Sequence, residues 1–149
     1  MRIAIGSDHR GLALKEVLAR TLRDWGHGVT DYGTHRPESV DYPDFAAPVA
    51  QGASEGWFDC GIVICGTGIG ASISANKVRG ARCGLCRTPY EAAMSRRHND
   101  ANVLALGADV TPPDEAIRIV RAWLACRFEG GRHARRVDKI GRLETGGEV

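Results

Sequence analysis

Cys60-Gly61-Ile62-Val63-Ile64-Cys65 runs directly into Gly66-Thr67-Gly68-Ile69-Gly70. The first six residues are uncharged and apolar almost throughout, as expected of a parallel strand buried on both faces. The glycines then stop the strand and allow a tight turn into a helix, which the pattern carries through Lys77. Such a strand needs neighbours on both sides. Working outward, short apolar runs predict strands at Arg2–Ile5, Val29–Tyr32, Ala81–Cys86 and Asn102–Leu106, the last two buried. Helical patterns separate them. Leu14, Leu18, Leu22 and Trp25 form one amphipathic stripe that ends at Gly26, and Phe45–Ala53 reads as a modest helix after the polar loop His35–Pro43. Further helices are expected from Pro89 to about Arg97, and around Ala116, Val120, Trp123 and Leu124 behind Thr111-Pro112-Pro113-Asp114. A basic helix is expected from about Arg132 to Leu143. Repeated strand–helix alternation predicts the α/β class, as a Rossmann-like three-layer sandwich with a five-stranded parallel sheet.

Composition agrees with one domain over residues 1–149, with a polar tail from about 144 to 149 that is expected to fray. Lys and Arg number 20 against 18 Asp and Glu, a net charge of +2 that gives no global reason to expect nucleic acid or a membrane as partner. The N-terminus is too polar for a signal region, and no run approaches the ~18 apolar residues of a membrane span. Five cysteines are an odd number outside any short secreted framework, which predicts a reduced, cytoplasmic protein.

Ligands of open parallel sheets bind at the carboxyl ends of the strands. Ser7-Asp8-His9-Arg10-Gly11 follows the first strand, Cys65–Gly70 closes the third, and Ser95-Arg96-Arg97-His98-Asn99-Asp100 precedes the fifth. These segments are expected to converge on one rim. Gly66, Gly68 and Ala71 fit the dinucleotide pattern G-x-G-x-x-G/A, but the turn follows the third strand, and Cys86-Arg87 stand where an acid would close the next. A nucleotide cofactor is therefore not expected. Exposed amides at a helix start suit a phosphate or a developing oxyanion, while a bare strand–helix connection remains the alternative. Cys65, at the mouth of this turn, reads as a base or nucleophile or else as a small buried residue. Cys83 and Cys86 have CxxC spacing but lie inside a predicted strand without a second CxxC, so both read as buried and structural, like Cys60 and Cys126. His9 beside Asp8 suits acid–base work, whereas His98 taken alone reads more readily as a surface or helix-capping histidine. No H-E-x-x-H or i,i+4 histidine pair occurs, so no metal is expected. Arg132 and Arg136 share a helical face that suits a phosphate monoester or plain solvent, and no aromatics interleave with the basic residues to favour nucleic acid.

Five motifs together resemble the ribose-5-phosphate isomerase B family, which includes the galactose-6-phosphate isomerase subunits. They are Ser7-Asp8-His9-x-Gly11-x-x-Leu14-Lys15, Asp41-Tyr42-Pro43, Cys65–Gly70, Arg96-x-His98-Asn99-Asp100-x-Asn102-Val103-Leu104 and Glu129-Gly130-Gly131-Arg132-His133-x-x-Arg136-Val137. The resemblance implies aldose–ketose isomerisation of ribose 5-phosphate and ribulose 5-phosphate through a cis-enediolate, without metal or cofactor. Cys65 matches the base, and His98 the group that assists ring opening, with Thr67 nearby. Gly66, Gly68, Ile69 and Gly70 match the turn that faces the enediolate oxygen. Asp8, His9, Tyr42 and Asn99 match substrate contacts. Arg132 and Arg136 match phosphate ligands that reach a neighbouring subunit's site, which implies a homodimer with shared sites and leaves a tetramer open. Two positions depart from the family: Asp109, where arginine is common, and Arg10, where the residue is usually small or apolar. Either Arg10 replaces the missing charge, or the same chemistry serves another sugar, such as allose 6-phosphate, galactose 6-phosphate or a free aldose. A non-catalytic sugar-phosphate-binding module and a structural oligomerisation domain are the competing readings.

Overall fold

Strand β3 (Cys60–Cys65) takes the middle of the sheet because both of its faces are apolar. In the computed structural model, which describes residues 1–149, it lies between β1 (Arg2–Ser7) and β5 (Val103–Gly107). Strands β2 (Gly28–Asp31) and β4 (Cys83–Leu85) form the edges, and all pairings are parallel in the order β2-β1-β3-β5-β4. The helices are α1 (Leu12–Asp24), α2 (Pro43–Ser54), α3 (Ile69–Ala75), α4 (Pro89–Asn99), α5 (Pro113–Ala125) and α6 (Arg132–Glu144). This is the expected Rossmann-like three-layer sandwich with a five-stranded parallel sheet.

Alternation along the strands divides the core into two unlike faces. Ile3, Ile5, Ile62, Ile64, Leu104 and Leu106 pack against Leu18 and Leu22 of α1 and Ile119 and Trp123 of α5. The opposite face carries Ala4, Val63, Cys65, Val103 and Ala105 beneath Val49 and Ala50 of α2 and Ala71 and Ala75 of α3. Small residues on this side let α2 and α3 lie close to the sheet. Cys65 therefore points toward the thin layer. Inside the thicker side, Lys15 is fully buried and its ammonium meets both Asp31 carboxylate oxygens at 2.7 and 2.5 Å, tying α1 to the end of β2.

Several boundaries differ from the sequence pattern, each for a local reason. β1 continues through Gly6 and Ser7 because the Ser7 N–H donates to the Gly33 carbonyl and the Thr34 N–H donates to the Ser7 carbonyl, both at 2.7 Å. β4 has three residues instead of six and is half-buried, since it is an edge strand paired only with β5. Before it, backbone pairing narrows to the Arg82 carbonyl, and the Asn102 amide takes the remaining groups, accepting from the Arg82 N–H at 2.8 Å and donating to the Gly80 carbonyl at 2.9 Å. Cys60 and Cys86 are buried as expected, whereas Cys83 on this edge and Cys126 after α5 are partly exposed. α4 begins with a Thr88–Glu91 capping box and runs on to Asn99, stopping where Asp100 turns left-handed at φ 47°. His98 and Asn99 thus belong to its last turn instead of following it. At the C-terminus, α6 includes Glu144, whose carboxylate accepts from the Gly80 N–H at 2.8 Å. No helix is long and apolar enough to cross a membrane.

Candidate active site

The carboxyl ends of β1, β3 and β5 form a rim in which Cys65 is the last residue of β3 and only 4% exposed. Pairing continues beyond the strands. The Ala108 N–H donates to the Cys65 carbonyl and the Asp109 N–H to the Gly66 carbonyl, each at 2.9 Å, which fixes the turn to the exit of β5. Gly68 caps α3 at φ 78°, and a Cβ there would stand 2.8 Å from the Leu106 carbonyl carbon. Only glycine fits both the dihedral and the space. This conformation aims the Gly68 N–H at Cys65 Sγ, 3.2 Å away, so the sulfur has an amide dipole ready to stabilise negative charge on it. Thr67 Oγ1 accepts from the Ile69 N–H at 3.3 Å and holds its hydroxyl at the same turn. The Tyr42 ring, at the start of α2, lies so close to Gly70 that a Cβ there would sit 2.5 Å from its Cζ.

Asp8 and His9 enter the rim separately. Asp8 is buried and its Oδ1 accepts from the Gly11 N–H at 3.0 Å, while His9 Nδ1 accepts from the Val40 N–H at 3.2 Å. No hydrogen bond joins the two, so the acid–imidazole pairing suggested by their adjacency is absent. With Nδ1 accepting, a neutral His9 ring carries its hydrogen on Nε2. Arg10 and Asp109 meet above Gly66, with Arg10 Nε at 3.1 Å and one terminal nitrogen at 2.6 Å from Asp109 Oδ2.

A second polar group occupies the opposite edge of the sheet. α4 runs antiparallel to the strands it connects, so its end lies where β5 begins, not where β3 ends. There the His98 ring stacks on His133 of α6, with centroids 4.1 Å apart and planes 7° from parallel. Arg97 holds the Glu129 carboxylate through Nε at 2.5 Å, and Glu129 Oε2 lies 3.7 Å from His98 Nε2. The Arg97 hydrogen bond keeps the Glu129 carboxyl below the usual carboxylate range. Burial, then the nearby His98, Arg132 and Arg136, pushes the His133 imidazole below its usual value. Arg136 reaches His133 Nδ1 at 3.5 Å. The His98, Glu129 and His133 donor atoms lie within 4.8 Å of one another, a spacing a metal ion could use. Glu129 is already engaged by Arg97, however, and the surrounding arginines oppose a cation. Beside this group, a groove of about 500 Å³ opens between α3, β4, α4 and α6, lined by Asn76, Arg82, Asn99, Ile140 and Leu143 among others.

The expected convergence on one rim therefore fails within a single chain. Cys65, Gly66, Thr67, Gly68, Ile69, Gly70, Asp8, His9, Arg10, Tyr42 and Asp109 come together at the carboxyl edge; His98, Asn99, Arg132 and Arg136 come together at the other. At ~3.3 Å per residue, β3 alone keeps the two edges roughly 17–20 Å apart. The reason is directional. A segment leading into a strand lies at the start of that strand, so His98 and Asn99 were never at a carboxyl end. Sequence reasoning also gave no role to Glu129 and His133. Their signal was proximity to Arg132 inside one short motif.

Fold and rim together define a doubly wound α/β protein with a thiol and a glycine turn at the carboxyl end of its central strand. A family model described as Ribose/Galactose Isomerase matches residues 3–140. The chain belongs to that family and is an isomerase. It is 48% identical over 143 residues to ribose-5-phosphate isomerase B of Escherichia coli (strain K12), covering 96% of each chain. It is 44% identical to the D-erythrulose-4-phosphate isomerase of Pectobacterium atrosepticum, covering 97% of this chain and 95% of that one. The solved ribose-5-phosphate isomerase B of Clostridium thermocellum superposes with a TM-score of 0.97 at 55% identity, covering 98% of this chain and 99% of the other.

Proposed function

We propose that the protein interconverts ribose 5-phosphate and ribulose 5-phosphate by proton transfer between C1 and C2. Cys65, as thiolate, takes the C2 proton of the open-chain aldose, the C1 carbonyl oxygen gains the negative charge, and a cis-enediolate forms. The C2 hydroxyl then passes its proton to the C1 oxygen, and Cys65 returns the carbon-bound proton to C1, which gives the ketose with no redox partner. The Gly66–Gly70 turn, through Gly66 and Gly70 amides, faces the enediolate oxygen and stabilises charge that exists only near the transition state, while the Gly68 N–H supports the sulfur and the Ile69 N–H holds Thr67. Thr67, Asp8, His9 and Tyr42 orient the substrate. The observation that carries this reading is the Gly68 amide directed at Cys65 Sγ at the end of the central strand.

His98, which assists ring opening, and Asn99, Arg132 and Arg136, which bind substrate and phosphate, come from a second copy of the chain. Opposite placement of the two groups supports a homodimer with shared sites, or a tetramer made of such dimers. So does exposed apolar surface on the covering helices: Ile73 of α3 is 56% exposed and Leu143 of α6 is 60% exposed. Residues 1–149 act as one isomerase domain. Five free thiols fit a reducing compartment, the cytoplasm. No cofactor or metal, nucleic acid or membrane enters this scheme. The relative that acts on D-erythrulose 4-phosphate supports a second reading, the same chemistry on another sugar phosphate.

The test is incubation with ribose 5-phosphate in deuterium oxide, followed for ribulose 5-phosphate, for deuterium at its C1 and for deuterium at C2 of the recovered aldose. Turnover by the wild type and its loss in Cys65→Ala are expected. Full turnover by Cys65→Ala would refute the assigned base, and binding without turnover of any sugar phosphate would favour a binding module.

A further inference from the structure

The turn after Cys65 carries an ion pair that adds little to stability. Arg10 and Asp109 side chains are 58% and 38% exposed, and pairs so open to water contribute marginally to folding. Their position is nevertheless specific. Asp109 is anchored by its own N–H on the Gly66 carbonyl at 2.9 Å, and a Cβ on Gly66 would lie 2.7 Å from both Arg10 Nε and Asp109 Oδ2. The guanidinium thus rests on the backbone of the residue that follows the thiol.

A guanidinium has five N–H donors. Here Arg10 uses Nε and one terminal nitrogen on the single oxygen Asp109 Oδ2, and no other protein group accepts from it. The remaining donors form a planar fork, the geometry that pairs with a phosphate through two parallel hydrogen bonds. The nearby Lys15 cannot serve, because its buried ammonium is spent on Asp31. Asp109, in turn, is not a bare carboxylate facing an anionic substrate. Its charge is neutralised by the side chain that it aims.

We propose that Arg10 is the specificity-determining phosphate ligand contributed by the chain that also supplies Cys65, and that Asp109 is the positioning residue for its guanidinium. The proposal rests on the isomerase reading above, since it assigns the phosphate of that substrate.

Steady-state kinetics on ribose 5-phosphate, inhibition by inorganic phosphate and calorimetric titration of inorganic phosphate test it together. Arg10→Ala and Arg10→Gln should each raise KM and weaken phosphate binding by about 10- to 100-fold, with a smaller loss in kcat. Arg10→Gln keeps a hydrogen bond to Asp109, so it remains informative should the alanine variant fold poorly. Arg10→Lys should recover part of the affinity, and Asp109→Asn should raise KM about threefold, as expected when a ligand is kept but loses its aim. Phosphate affinity and KM within twofold of wild type in Arg10→Gln would overturn the proposal. So would a fall in kcat alone, which would make the pair a clamp on the turn. Wild-type protein inert toward ribose 5-phosphate would sink the isomerase reading instead, and the calorimetric comparison would still decide the role of Arg10.

Discussion

The two polar edges of this sheet are built by different means. At the carboxyl edge the chemistry rests on backbone: a glycine in a left-handed conformation, amides directed at a sulfur, and carbonyls paired to the exit of β5. At the amino edge it rests on side chains standing on the ends of two helices, where stacked imidazoles and arginines hold each other. In the proposed reaction neither edge is sufficient. There the carboxyl edge supplies the thiol, charge-stabilising amides and the Arg10 contact to phosphate, and the amino edge supplies ring opening and the remaining phosphate contacts. On that reading, a chain that folds once carries two complementary halves facing away from each other.

The largest test of this contrast is removal of the thiol. Cys65→Ala should lower kcat by about 10²–10⁴, the usual worth of a positioned acid–base group, with only a small change in melting temperature. Complementation comes next. Cys65→Ala and the double variant Arg132→Ala/Arg136→Ala should each be nearly inactive, yet re-associated mixtures should regain about a quarter of wild-type activity, since half the random dimers hold one intact site. No recovery after verified exchange of subunits would remove the shared site.

Single methyl groups should separate the edges further. Gly68→Ala must adopt a strained dihedral against backbone atoms and should destabilise the chain by about 1–3 kcal/mol in chemical denaturation. Gly141→Ala in α6 meets nothing within 4 Å and should stabilise it by about 0.5–1 kcal/mol. Equal effects would erase the distinction between a backbone-built and a side-chain-built edge. The smallest effect concerns pH. Because the folded His133 imidazole binds its proton less readily than in the unfolded chain, the unfolded state takes up more protons as pH falls from about 6.5 toward the lower folded value. Stability from this group is present above that window and lost within it. A melting series should show this slope flattened in His133→Gln.

Much of this was legible in the sequence because both faces of a central strand must be apolar, and Cys60–Cys65 has no other use. The glycine turn was legible for a similar reason: close backbone approaches leave a compositional mark. The shortness of β4 was not, since an Asn102 side chain distant in sequence takes over the Arg82 N–H and the Gly80 carbonyl. Nor was the extension of β1, which depends on pairing with the chain beyond β2. The placement of His98 and Asn99 was missed because a residue's rank along the chain does not say which end of a sheet it reaches. Strand direction does, and α4 reverses it.

The opposed edges also bear on dilution. When each catalytic centre needs two chains, the active species forms in proportion to the square of the free-chain concentration, and substrate that bridges both chains favours their association. Well below the dissociation constant of the pair, specific activity should fall with dilution and rise again with added substrate. In the proposed shared site, the sheet that separates thiol from arginine makes turnover report how crowded the protein is with its own kind.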